Sequence, residues 1–194
     1  MLDGVLRRAN VTRRVVWTVK GLLACGLIAL SVLLPQVAHL LAGSAAGIRF
    51  LPMYFPVLLG ACLLGVRFGA FVGVASPLAS YFLTSAVGNA MPAAARLPFM
   101  MAELLVFALV AGAFAGKIEA NRYVVFPAVL LAALCGRSVF LLATVLFPRV
   151  APVTTAVAWQ QICAGVPGLV LQFLLVPALT ILLHWLLHRE KEND

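Results

Sequence analysis

The sequence predicts an all-α membrane protein, a bundle of six transmembrane helices with both termini in the cytoplasm. Of its 194 residues, 64% are hydrophobic and 10% are charged, and the mean hydropathy is +1.10. A soluble domain of this length needs far more polar surface. Apolar runs near 20 residues recur along the chain, and this length crosses a hydrocarbon core of about 30 Å. We therefore expect residues 1–194 to form a single transmembrane domain.

The apolar runs place six helices in order along the chain. We predict them over residues 15–34, 51–65, 68–88, 98–116, 123–147 and 159–187. The first is expected to stop at Pro35, because proline removes a helical hydrogen bond, and the second is short. In lipid the backbone must satisfy its own hydrogen bonds, which favours helices for all these runs.

The basic residues predict the orientation. Ten of them flank one side of the spans: Arg7, Arg8, Arg13, Arg14, Lys20, Arg67, Lys117, Arg122, Arg189 and Lys191. The other side has only Arg49, Arg96 and Arg149. The positive-inside rule makes the first side cytoplasmic, with a basic N-terminus over 1–14 and a tail over 188–194. The external segments are then about 35–50, 89–97 and 148–158, and the first is long enough for a lid. This placement explains the net charge of +8 without nucleic acid.

Polar side chains gather toward the predicted external side. Glu103 is the only acidic residue inside a predicted span, and Arg137 is the only basic residue well within one. Ionisable groups at such depth are usually paired, face a cavity, or serve a function. The candidate substrate-binding residues are Gln36, His39, Tyr54, Tyr81, Asn89, Arg96, Met100, Glu103, Arg137, Gln160 and Gln161. A few polar groups in apolar walls suit a small organic ligand. A purely structural ion pair, interface aromatics and ordinary polar helix ends are the alternative interpretations.

The sequence offers no catalytic or metal-binding pattern. It contains no Gly-x-x-x-x-Gly-Lys-Ser/Thr loop, no His-Glu-x-x-His and no Gly-x-Ser-x-Gly. The cysteines are scattered singly, and His184 and His188 fit the polar end of the last span better than a metal site. We therefore predict no enzyme activity, no metal and no cofactor.

Small residues at every fourth position mark the faces on which membrane helices pack. The predicted third helix carries Gly69 and Gly73, and the first carries Gly21, Cys25 and Ala29. The first-helix stripe either packs within the bundle or docks on another membrane protein.

Three stretches resemble one transporter family. They are LLPQVAHLL, FLPMYFPVLLGACLLGVRFGAFVGVASPLASYFLT and RLPFMMAELLVFALVAGAFAG. Over about residues 20–120, and most specifically at 52–59 and 97–104, the chain is similar to the substrate-specific S components of energy-coupling-factor (ECF) transporters.

The resemblance implies a multi-pass protein of the bacterial cytoplasmic membrane. Such a protein would capture a vitamin or related micronutrient at its external face, with a transmembrane T component and two cytoplasmic ATPases supplying the energy. The first helix of these proteins docks through an Ala-x-x-x-Ala-like motif, for which Gly21, Cys25 and Ala29 would substitute here.

The implied ligands include pantothenate, folate, cobalamin, riboflavin and queuosine precursors. A carboxylate can accept hydrogen bonds from a paired N–H and N–H₂ edge. Glu103 therefore favours a queuosine precursor or similar deazapurine base. The alternative is a structural six-helix scaffold subunit without a small-molecule ligand, and a ligand-dependent thermal shift would separate the two.

Overall fold

The computed structural model describes residues 12–43, 49–88, 91–148 and 154–189. In these ranges the chain forms helices and connecting turns and no strand, which confirms the all-α prediction. The helices are α1 (Arg13–Ala42), α2 (Tyr54–Leu64), α3 (Val66–Ala86), α4 (Leu97–Ala113), α5 (Ala115–Ala120), α6 (Val125–Leu146), α7 (Thr155–Ala164) and α8 (Val166–Arg189). Short 3₁₀ turns at Ala94–Arg96 and Arg122–Val124 precede α4 and α6.

Five of the described helices, α1, α3, α4, α6 and α8, are long and apolar enough to cross a membrane. Their outward faces carry large apolar side chains such as Leu22, Leu134 and Leu174, each more than half exposed. A surface of this kind suits lipid rather than water. Helix α2 has only 11 residues, so it extends about 16 Å, less than the hydrocarbon thickness. The membrane class is confirmed, and the predicted count of six is approximate.

The predicted stop of the first helix at Pro35 is wrong. Helix α1 continues through this proline to Ala42, just as Pro77 and Pro177 lie inside α3 and α8. A proline removes one backbone donor, and membrane bundles tolerate that loss. Gln36 and His39 consequently lie on the last turns of α1 and not in an external loop. The predicted first external segment is correspondingly shorter.

The predicted sixth helix is two helices. Gly165 separates α7 from α8, and Pro167 stands in the first turn of α8. Proline has no N–H to continue the ladder, yet it fits the first turn of a new helix. The predicted fourth helix likewise ends at Ala113, and α5 follows as a separate short helix.

Helix α2 forms the buried centre of the bundle and packs against α1, α3, α4, α5 and α8. Glycines allow α3 to approach its neighbours closely. A Cβ atom at Gly69 would lie 2.7 Å from the Cα atom of Ala61, and one at Gly73 would lie 2.9 Å from the carbonyl oxygen of Leu104. The small residues of α3 therefore pack the protein's own bundle.

The small-residue stripe of α1 has a different environment. A Cβ atom at Gly21 would meet nothing within 4 Å, and Cys25 and Ala29 are exposed. Ala24, by contrast, is fully buried in the core. The described part of the bundle therefore leaves the Gly21, Cys25 and Ala29 face of α1 uncovered.

Helix α8 fixes the segment that leads into α2. Leu51 has a φ of 49°, which is uncommon for a residue other than glycine. Its carbonyl oxygen accepts hydrogen bonds from the side-chain amide of Gln172, at 2.9 Å, and from the backbone N–H of Tyr54, at 3.0 Å. Gly168 lies against the same segment, since a Cβ atom there would be 2.6 Å from the carbonyl oxygen of Arg49. These contacts set where α2 begins.

Candidate ligand-binding cavity

A cavity of about 300 Å³ opens at one end of the bundle. It lies between the C-terminal parts of α1, α3 and α6 and the N-terminal parts of α2 and α4, with α7 at one side. Its volume is at the lower end of the range for small-molecule sites, which is about 300–1,000 Å³. The polar and charged side chains of the lining are His39, Tyr54, Ser80, Arg96, Glu103, Arg137 and Gln161. The other lining residues are apolar: Pro35, Leu51, Pro52, Met53, Met91, Pro92, Ala93, Met100 and Phe140.

Tyr54, Glu103 and Arg137 form a buried polar cluster in the cavity wall. The Tyr54 hydroxyl donates to Oε2 of Glu103 at 2.6 Å, and Nη1 of Arg137 donates to Oε1 at 2.7 Å. The guanidinium carbon of Arg137 also lies 5.0 Å from the centre of the Tyr54 ring, within the range of a cation–π contact. Each carboxylate oxygen of Glu103 thus accepts one protein hydrogen bond.

Arg137 keeps donors that the protein does not use. Its Nε and Nη2 atoms are buried and have no hydrogen-bond partner in the structure. Buried donors of a charged group are costly when unpaired. An acceptor supplied beside this guanidinium would therefore lower the free energy of the site.

Arg96 links two helices at the cavity. It ends the 3₁₀ turn that leads into α4, and its Nη2 atom donates to Oε1 of Gln161 on α7. Arg96 is half-buried, so part of its guanidinium remains accessible. The contact joins the start of α4 to the C-terminal half of α7 at the cavity.

Two hydroxyl groups of α3 hold the segment that precedes α4. Ser80 donates to the carbonyl oxygen of Met91 at 2.8 Å, and the N–H of Met91 donates to the Thr84 hydroxyl at 2.8 Å. This anchoring positions Pro92 and Ala93 in the cavity wall.

The structure brings seven of the eleven predicted residues into the cavity lining: His39, Tyr54, Arg96, Met100, Glu103, Arg137 and Gln161. Gln36, Tyr81 and Gln160 are not part of the lining, and Asn89 lies outside the described residues. Gln160 is exposed, because consecutive helical residues point about 100° apart and its neighbour Gln161 faces the cavity. The Tyr81 ring instead packs near that of Phe82, with centroids 5.5 Å apart.

Nine residues of the lining were not among the predicted candidates, and Ser80 and Phe140 are two of them. Phe140 follows Arg137 by three residues on α6, so helical spacing could have indicated it. The loop residues Met91, Pro92 and Ala93 gave no comparable signal, because an apolar loop residue has no periodicity.

Comparison with known families gives one match. The family model described as "ECF transporter, substrate-specific component" matches residues 26–180, and this range contains every residue of the cavity lining. No curated protein and no solved structure matches the chain significantly.

Proposed function

The chain belongs to the family of substrate-specific components of ECF transporters, and from this premise we propose that its cavity captures a vitamin or related micronutrient. The family match confirms the resemblance found in the sequence and makes the chain a substrate-binding transporter subunit. The observation that supports the proposed site is the Tyr54–Glu103–Arg137 cluster beside a cavity of about 300 Å³. This cluster supplies orienting polar groups within apolar walls, as small-molecule sites do.

A structural scaffold does not account for these features equally well. A scaffold gains nothing from a cavity, and apolar residues of similar volume often replace a buried ion pair at no cost in stability. The unpaired donors of Arg137 would be an uncompensated cost in such a protein. A ligand that accepts from them removes the cost.

The size and walls of the cavity favour the smaller micronutrients. A volume near 300 Å³ suits pantothenate or a single fused heterocycle better than the large corrinoid of cobalamin. Met53, Met100 and Phe140 offer polarisable and aromatic contacts to a flat ring. Among heterocycles we favour a deazapurine base of the kind found in queuosine precursors. Each oxygen of Glu103 has a second lone-pair site with which it could accept from such a base.

We place the cavity on the external side of a bacterial cytoplasmic membrane, as the distribution of basic residues predicts. The energy would come from a T component and two ATPases, partners that the family implies. The uncovered face of α1 with Gly21, Cys25 and Ala29 is our proposed docking face for the T component, because small residues let membrane helices approach closely.

A ligand-dependent thermal shift tests the proposed function. Purified protein in detergent is heated with each of a panel of vitamins and deazapurine bases. A ligand that binds only the folded state stabilises it by about 2.7 kcal/mol at a concentration of 100 times Kd. We expect at least one compound to raise the Tm.

Two matched variants assign that shift to the cavity. Ala93→Phe introduces a ring at an exposed position of the lining and should abolish the shift. Ala113→Phe introduces the same ring at an exposed position outside the lining and should preserve it. If no compound stabilises the protein, the scaffold interpretation is favoured. If both variants respond equally, the ligand binds outside this cavity and our assignment of the site is wrong.

A further inference from the structure

We propose that the ligand carries one negative charge, a carboxylate, which the guanidinium groups of Arg96 and Arg137 bind. This inference rests on the proposed function, because it assigns a chemical class to the ligand of the same cavity. It follows from the charges around the cavity, from the donors that the protein leaves unpaired, and from the position of α4.

The charges around the cavity do not balance. Arg96 and Arg137 are cationic and Glu103 is the one acidic residue among the described lining residues, so the lining has a net charge of +1 with His39 neutral. Charge removed from water is costly unless it is compensated. A single anionic group on the ligand would make the site neutral.

The unpaired hydrogen-bonding atoms around the cavity also favour an anionic ligand. Both oxygens of Glu103 already accept from protein groups, and Oε1 of Gln161 accepts from Arg96. Arg137 uses Nη1 for Glu103, whereas Nε and Nη2 have no partner. The buried side-chain atoms of the described lining that have no hydrogen-bond partner are these two nitrogen atoms, and both are donors. A ligand rich in acceptors complements them.

The two unpaired nitrogen atoms of Arg137 lie on the same edge of its guanidinium group. The N–H bonds of such an edge are parallel and match the two oxygens of a carboxylate. Glu103 and the Tyr54 ring hold the rest of the group, at 2.7 Å and 5.0 Å. Both nitrogen atoms are shielded from solvent, so a side chain that covers them must move before a carboxylate can reach this edge. Glu103 acts here as a positioning residue for Arg137.

Helix α4 adds to the attraction for an anion. Arg96 precedes α4 directly and Met100 lies on its first turn. Both line the cavity, so the positive end of the helix dipole lies at its wall. Arg96 is only half-buried and keeps donors beyond the one that contacts Gln161. It can therefore complete a two-arginine clamp with Arg137.

Matched ligand pairs test the charge directly. We would measure the Kd of the purified protein for pantothenate and panthenol, for nicotinate and nicotinamide, and for a deazaguanine bearing a carboxylate and the same base bearing a nitrile. A hydrogen bond to a charged group contributes enough to change affinity by about tenfold to a hundredfold. We expect the carboxylate member of any pair that binds to bind at least about tenfold more tightly.

The two proposals fail in different ways. If a neutral or cationic micronutrient binds and every carboxylate in the panel binds no better than its neutral partner, the carboxylate assignment is overturned while the substrate-binding function stands. If no compound of any charge binds, both proposals fall.

Variants identify the residues that recognise the charge. Arg96→Gln removes one cation, and the pair Glu103→Gln with Arg137→Gln removes the other without leaving a buried charge unpaired. Each should reduce the ratio of carboxylate to neutral affinity by about tenfold or more. The control Arg67→Gln removes an exposed arginine outside the lining and should keep the wild-type ratio. A general loss of folding weakens the binding of both ligands of a pair and leaves the ratio of their affinities unchanged. If this ratio keeps its wild-type value in Arg96→Gln and in the double variant, the two-arginine clamp is excluded.

Discussion

The contact between Glu103 and Arg137 predicts a large energetic coupling between two helices. The atoms are 2.7 Å apart, and the side chains are only 2% and 11% exposed. Replacing one partner leaves the other charge buried and uncompensated, which costs about 3–5 kcal/mol. We therefore expect Glu103→Leu and Arg137→Met each to reduce the free energy of unfolding by about this amount.

The double variant should recover most of the loss, because no buried charge remains and apolar residues of similar volume fill the site. A residual cost of about 1–3 kcal/mol is expected from the Tyr54 hydroxyl, which loses its acceptor. The predicted coupling free energy is therefore about 3 kcal/mol or more. It also follows that the double variant folds but no longer shows the ligand-dependent thermal shift.

Unfolding by titration with sodium dodecyl sulfate in mixed micelles measures these four free energies. A control cycle combines Glu103→Leu with Arg67→Met, whose arginine lies at the start of α3 outside the cavity lining. Distant sites should be additive within about 0.5 kcal/mol. If the Glu103–Arg137 cycle is also additive to this extent, the pair is not a coupled buried contact and our account of the cluster is wrong.

Two further predictions concern small residues. Gly69→Ala should lower the free energy of unfolding by about 1–3 kcal/mol, because its Cβ atom would lie 2.7 Å from the Cα atom of Ala61. The control Gly26→Ala should not lower it, because a Cβ atom there would meet nothing within 4 Å. Equal losses of stability in the same titration would contradict the close packing of α3 on α2. Cys25→Phe should reduce co-purification of the T component and the ATPases while leaving the ligand-dependent thermal shift intact. The control Leu134→Phe, at a 58% exposed position of α6, should leave both the co-purification and the thermal shift intact. Equal co-purification of the two variants would argue against docking through α1.

Prolines show how far sequence could predict the helix boundaries. Pro35 was predicted to end the first helix, whereas the predicted third and sixth helices include Pro77 and Pro177. All three prolines lie inside helices. A proline removes the same donor in every case. Whether the helix continues depends on the neighbours that pack around it, and these are set by the tertiary structure. Apolar length alone predicted the existence of the helices, because that signal is local.

The candidate site was predictable where an ionisable residue had to be buried. Glu103 and Arg137 were recognisable because charge within an apolar span demands a partner or a cavity, and the structure places them in contact. The amides Gln160 and Gln161 were not separable, because the rotation of α7 decides which one faces the cavity. Met91 could not be predicted as a lining residue for another reason. Its position depends on hydroxyl groups of α3 that form hydrogen bonds with its backbone.

Helix α8 shows that part of the site is set by residues that never touch the cavity. It supplies no lining residue, yet Gln172 binds the carbonyl of Leu51 across 121 positions of sequence. The same carbonyl accepts a hydrogen bond from the N–H of Tyr54. The position of α8 therefore sets where α2 begins and where the Tyr54 hydroxyl lies. Glu103 then transmits this placement to Arg137 through two short hydrogen bonds. The guanidinium edge that we assign to the ligand is therefore oriented by a chain of contacts from the buried centre of the bundle.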